Sequence, residues 1–141
     1  MRLEHLCDFV LSYDEHGFSV VAPFAGKEGQ GYGTGTGEAT GERLSGSVRW
    51  SNYPRMTDDG VLLPDVRGIV MTPEGPVLFE FRGNSIPANP GDTTRNIAAS
   101  VVFRTQAEEH KWLNHAIVVQ QGVIDFSTMS INLPTYVCVP D

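Results

Sequence analysis

The sequence predicts an all-β protein folded as a closed antiparallel β-barrel, with one short helix near 106–113. Three observations lead there. Short apolar or alternating runs recur along the whole chain, Gly, Pro, Asp and Asn clusters separate them, and no long stretch shows helical periodicity. A chain of 141 residues fits one domain, 1–141, and buries enough surface for a core without staples.

Strands are expected near 2–12, 17–23, 30–38, 43–51, 65–72, 76–83, 97–104, 115–125 and 129–138. Asp14-Glu15-His16-Gly17 reads as the first turn, with Gly17 free to take positive φ, and Thr57-Asp58-Asp59-Gly60 reads the same way. Segment 84–96, with Pro87, Pro90 and Gly91, reads as a longer loop. Glycines 31, 33, 35 and 37 alternate and so share one face of a strand. A face without side chains permits sharp bending, or close approach of another group or a ligand.

The helix is expected from Gln106 to Leu113. Thr105 is its cap, Glu108 completes a capping box, and Asn114 suits a left-handed exit. About two turns of helix are stable only when docked, so Trp112 and Leu113 are read as anchors of a plug over one barrel end.

Charge narrows the partners. The formal net charge is -7 and the sequence pI is about 4.9. Phosphate backbones and anionic membrane surfaces repel such a chain, and no Lys/Arg run offers a local exception. Neither nucleic acid nor a membrane is expected as a partner. Residues 1–22 carry Glu4, Asp8, Asp14 and Glu15 without a long apolar run, so no signal peptide is expected and the cytoplasm is the expected location. Cys7 and Cys138 fall in the first and last strands; in a reducing compartment they are read as packed thiols.

Familiar cofactor motifs are missing. The glycine run lacks the spacing of a dinucleotide fingerprint, and Gly26-Lys27 is followed by Glu28 instead of Ser or Thr. His110 and His115 would lie ~140° apart around a helix and do not share a face. Neither they nor the two cysteines have metal-ligand spacing, so no metal and no cofactor is expected.

The most informative feature is a repeated tetrapeptide, Asp65-Val66-Arg67-Gly68 and Glu80-Phe81-Arg82-Gly83, flanking a hairpin turn at Thr72-Pro73-Glu74-Gly75. Pairing in which residue numbers sum to 147 sets Asp65 opposite Arg82 and Arg67 opposite Glu80, leaving Val66, Val70, Val77, Phe79 and Phe81 on the other face. A three-residue loop with a glycine bulge would give 148 and mix polar with apolar. The first register is preferred because a one-residue slip inverts a whole face. The charged face is either in solvent, where each pair contributes about 0–1 kcal/mol, or inside, lining a polar cavity. Arg49 and Trp50 repeat the ambiguity, since one points in and the other out.

Several of these residues carry a family resemblance. Gly41-Glu42-Arg43-Leu44-Ser45-Gly46, Arg49-Trp50, Asp58-Asp59-Gly60, both tetrapeptides and Trp112-Leu113-Asn114 together resemble the uncharacterised bacterial family called domain-of-unknown-function 3237. The resemblance spans nearly the whole chain. It implies a lipocalin-like or related antiparallel barrel, often a homo-oligomer, and no established reaction. The chain departs from the family pattern at Pro73-Glu74-Gly75-Pro76.

Two functions compete. One is a small-molecule-binding barrel for a partly apolar or aromatic anionic ligand, with Trp50 and Trp112 as stacking surface and Arg49, Arg67 or Arg82 holding the anion. Asp65 or Glu80 could then move a proton in a cofactor-free isomerisation. However, a carboxylate beside arginine is a weakened base, so binding is favoured over chemistry and enzymatic activity is left open. The other is a structural or interaction module with a filled core and no ligand.

Overall fold

The computed structural model describes residues 1–141. Ten strands form: β1 (Arg2–Val21), β2 (Gly29–Thr40), β3 (Gly46–Asn52), β4 (Arg55–Met56), β5 (Leu62–Leu63), β6 (Asp65–Thr72), β7 (Gly75–Pro87), β8 (Thr94–Arg104), β9 (Val118–Asp125) and β10 (Ser130–Val139). Eight of them pair antiparallel in the cycle β1-β2-β3-β6-β7-β8-β9-β10 and back to β1, which closes the barrel; β4 and β5 bridge β2 to β7 outside that cycle.

The wall follows the period of two. On β7, Val77, Phe79 and Phe81 are buried while Leu78, Glu80 and Arg82 are exposed. Phe79 and Phe81 stack with centroids 5.7 Å apart, and Phe9 packs on Phe79 at 5.1 Å. With Phe103, Leu133, Val70 and Leu11 they fill the lumen with apolar side chains.

The β6–β7 register sums to 147, and Pro73-Glu74 make the turn between paired Thr72 and Gly75. Thr72 closes it: its Oγ1 donates to Gly75 O at 2.7 Å and accepts from Glu74 N at 3.2 Å. The turn at 57–60 also forms, with Gly60 at φ +85°.

Several expected elements differ. Residues 14–17 are not a turn between two strands. They are a bulge inside one twenty-residue strand, because Tyr13 pairs Gly35 and Phe18 pairs Gly33: five steps on β1 oppose two on β2. His16, not Gly17, takes the left-handed conformation, at φ 55°. The loop expected over 84–96 contracts to 88–93, because both flanking strands extend into it.

The helix is a 3₁₀ helix, Glu108–His115, without a side-chain cap. Thr105 is occupied elsewhere: its Oγ1 donates to Pro76 O at 2.8 Å and accepts from Ala107 N. Glu108 pairs with Lys111 instead of completing a capping box. Asn114 acts through its side chain, accepting from Thr105 N at 3.0 Å and donating to Thr105 O at 2.8 Å. These two bonds tie Thr105 to Asn114 across the segment. Leu113 and His110 are its buried residues; His110 Nε2 lies 2.9 Å from Glu74 Oε1 of the β6–β7 turn. Trp112 is half-buried beneath the Arg43 guanidinium, 4.0 Å from its ring.

β1 and β10 pair, with Leu3 opposite Cys138 and Cys7 opposite Thr135, so the two cysteines lie on adjacent strands but at different levels, both as free thiols.

Candidate functional site

The residues singled out from the sequence separate into three places. Arg49, Arg67, Glu80 and Arg82 lie exposed on the outer wall of β3, β6 and β7, with Asp65 half-buried beside them. Alternation dictates this: Val48, Val66, Val70, Phe79 and Phe81 take the inner face. Asp65 is the hub of the ladder, 3.3 Å from Arg82 Nε and 3.5 Å from Arg67 Nη2. Arg67 and Glu80 border an open external groove of ≈ 330 Å³ with Leu78, Val102 and Arg104. Trp50 points inward and is buried; Trp112 belongs to the plug. The ladder and the two tryptophans therefore do not converge.

The concave apolar site lies at the barrel mouth opposite the plug. Tyr13, Phe18, Val66, Phe81, Ile97, Ile124, Phe126 and Ile131 line it from the barrel. Pro54, Leu62 and Pro64 close it from segment 53–64, which carries β4 and β5. An aromatic chain builds one wall: Trp50 meets Tyr13 at 4.8 Å, Tyr13 meets Phe18 at 4.9 Å, and Phe18 meets Phe126 at 5.5 Å.

The alternating glycines make that wall possible. A Cβ on Gly33 would stand 2.5 Å from the Tyr13 ring, one on Gly31 2.7 Å from Pro54, and one on Gly35 2.6 Å from Trp50 Cε2. The bare face of β2 is where neighbouring aromatic and proline side chains lie flat.

Few polar groups reach the site. Asn52 Nδ2 donates to the Tyr13 hydroxyl at 3.3 Å, while Asn52 Oδ1 accepts from Asp65 N at 3.1 Å. Burial pushes the Tyr13 phenol up, against a smaller opposing effect of the Asn52 hydrogen bond, so the group stays protonated at neutral pH. Its own proton is left to donate into the pocket. Ser85 is the third polar residue, held by Arg95 Nε at 3.1 Å. No carboxylate or imidazole lines this pocket.

The enclosed void is small, ≈ 30 Å³, room for about one water molecule. Tyr13, Asn52 and Arg95 were not marked by the sequence. Their significance depends on β3, β7 and β8 meeting β1 at one rim, and nothing local to Asn52 or Arg95 signals that.

No family model matches the chain, and no curated protein matches it. Solved structures do. A β-barrel-like protein of Acinetobacter baumannii superposes with TM-score 0.83 at 14% identity over 96% of this chain and 94% of its own. A Clostridium acetobutylicum protein of unknown function gives TM-score 0.85 at 15% identity, covering 99% of this chain and 100% of its own. An enzyme from Penicillium herquei gives 0.67 at 18% identity over 97% and 94%. At such identities the likeness defines the fold: a closed β-barrel shared by uncharacterised proteins and at least one enzyme.

Proposed function

We propose that this chain is a small-molecule-binding barrel whose ligand is small and partly apolar or aromatic, seated at the mouth between Tyr13, Phe126 and segment 53–64. The observation that carries this reading is the Tyr13 hydroxyl, accepting from Asn52 Nδ2, in a concavity whose lining is otherwise apolar and aromatic apart from Ser85. Such a site orients one hydrogen-bonding atom of a flat ligand and sequesters the rest. Binding is favoured over catalysis because the wall offers no carboxylate or imidazole to move a proton. Membership of the domain-of-unknown-function family 3237 is part of the same proposal, resting on the motifs quoted above.

The test is thermal unfolding of the purified protein against a panel of small aromatic molecules. A ligand at one hundred times its dissociation constant stabilises the fold by about 2.7 kcal/mol. The expected result is a rise of several degrees that shrinks in Tyr13→Phe.

The filled lumen favours a second reading, an interaction module without a ligand. Met71, Leu78 and Val102 are exposed among the outer-wall arginines, a composition found in protein interfaces. A flat panel together with concentration-dependent sedimentation, abolished by Leu78→Glu, would favour this module and a homo-oligomer.

A further inference from the structure

Arg95 is the one charged side chain hydrogen-bonded both to a pocket residue, Ser85, and to the turn at 57–60 of the segment that closes the pocket. It leaves β8 half-buried and makes three hydrogen bonds, all to neutral acceptors. Nε donates to Ser85 Oγ at 3.1 Å, and Nη2 donates to Ser85 O and to Gly60 O, each at 2.7 Å. No carboxylate pairs with it; it shares that with Lys27, Arg49 and Arg104, while Arg2, Arg43, Arg55, Arg67, Arg82 and Lys111 have acidic partners. Burial pushes its pKa down, as expected for a cation drawn from water without a counter-charge. Nη1 makes no hydrogen bond within the protein, and Arg95 touches the pocket through Ser85.

Gly60 belongs to the turn of segment 53–64, whose first residues are bonded to the barrel: Gly31 N donates to Pro54 O at 2.8 Å, Tyr53 N donates to Asp65 O at 3.0 Å, and Arg55 pairs with Glu28. β4 pairs β2 at two positions, and β5 pairs β7 only through Leu62 opposite Ser85. The same segment supplies Pro54, Leu62 and Pro64 to the pocket. A void of ≈ 30 Å³ is about a tenth of the smallest common ligand pockets, so a ligand enters only if this wall moves.

We propose that segment 53–64 is a flap latched by Arg95, and that the ligand is a small carboxylate whose anionic end takes Arg95 from the Gly60 carbonyl. A carboxylate engages a guanidinium through two parallel, charge-assisted hydrogen bonds, a stronger acceptor than a peptide carbonyl. The apolar remainder then occupies the space beneath the displaced wall. The anion and the latch rest on the pocket reading above, but the latch is also measurable without ligand.

The experiment uses the whole chain, aryl carboxylates such as benzoate and naphthoate, and the matching carboxamides as uncharged probes. Wild type is expected to bind the carboxylates at least tenfold more tightly, and Arg95→Gln to erase that preference while binding the amides at least as tightly as wild type does, since the latch no longer opposes opening. Hydrogen exchange without ligand should accelerate at least tenfold across residues 57–63 in Arg95→Gln and stay unchanged in Arg82→Gln. Equal affinity for both probe classes in wild type overturns Arg95 as the anion anchor but leaves the pocket standing. No binding by either class overturns both the pocket and the anion. Unchanged exchange in Arg95→Gln overturns the latch.

Discussion

Substituting Gly33 by alanine tests the construction of the pocket wall. The added methyl would sit 2.5 Å from Tyr13 Cε1 and 3.2 Å from Phe18 Cδ2, well inside the ~3.5–4 Å of ordinary carbon contact. The Tyr13 ring cannot retreat freely. Trp50 and Phe18 pack edge-on against it, and its hydroxyl accepts from Asn52. One extra methyl in a closed site of this kind costs about 1–3 kcal/mol. A chain of 141 residues loses ~0.3 kcal/mol of stability per degree near its midpoint, so Tm should fall by ~3–10 °C. Differential scanning calorimetry of Gly33→Ala, with the exposed Thr36→Ala as control, reads this directly. In a Tyr13→Leu background most of the penalty should vanish, because the colliding ring has gone. An unchanged Tm for Gly33→Ala, or the same loss with Tyr13 removed, would refute the claim that β2 is bare to admit the ring.

Three further outcomes are expected. Arg82→Ala should cost less than about 1 kcal/mol by chemical denaturation, since its partners sit on the outer wall; a loss of about 3–5 kcal/mol would mean a buried pair. Leu113→Ala should destabilise by about 2–5 kcal/mol and unseat the plug, seen as faster exchange at residues 108–115. Burial pushes the Cys7 thiol up to about 12 from 9.0, so the native state holds a proton that the unfolded chain releases. Stability from this group is complete below pH ~9 and falls as pH rises toward the native value, by at most about 1.4 kcal/mol per unit. A denaturation series from pH 8 to 11 should flatten in Cys7→Ala, and an identical slope in both proteins would contradict this.

The fold was legible because strand alternation is dense. Val77-Leu78-Phe79-Glu80-Phe81-Arg82 admits one inward face, and the cost of inverting it chose the register over the rival loop geometry. The same logic decided which way the charged ladder points, but only once closure showed that the lumen needs Phe79 and Phe81. The continuity of β1 was not legible, because Asp14-Glu15-His16-Gly17 has turn composition whether it ends a strand or bulges one. The capping signature at Thr105 misled for a similar reason. Its hydroxyl serves a distant carbonyl, Pro76 O, and no local pattern reveals that bond. The site was least legible of all: Asn52 and Arg95 matter through where β3 ends and β8 begins, and Tyr13 through the bulge that follows it in β1, not through any motif they form.

The pairing of β1 with β10 has a consequence for how the molecule is made. The strand formed first, with partners from Arg2↔Val139 to Ser12↔Ser130, must wait for the strand formed last. During synthesis β1 can zip onto β2 early, but its other edge stays open until β10 has emerged. Contacts of such sequence separation form slowly, and an unpaired edge bearing Leu3 and Val10 is a template for other chains. The closed ring that covers this edge of β1 from Arg2 to Ser12 thus makes the pairing of β10 the step on which escape from aggregation depends.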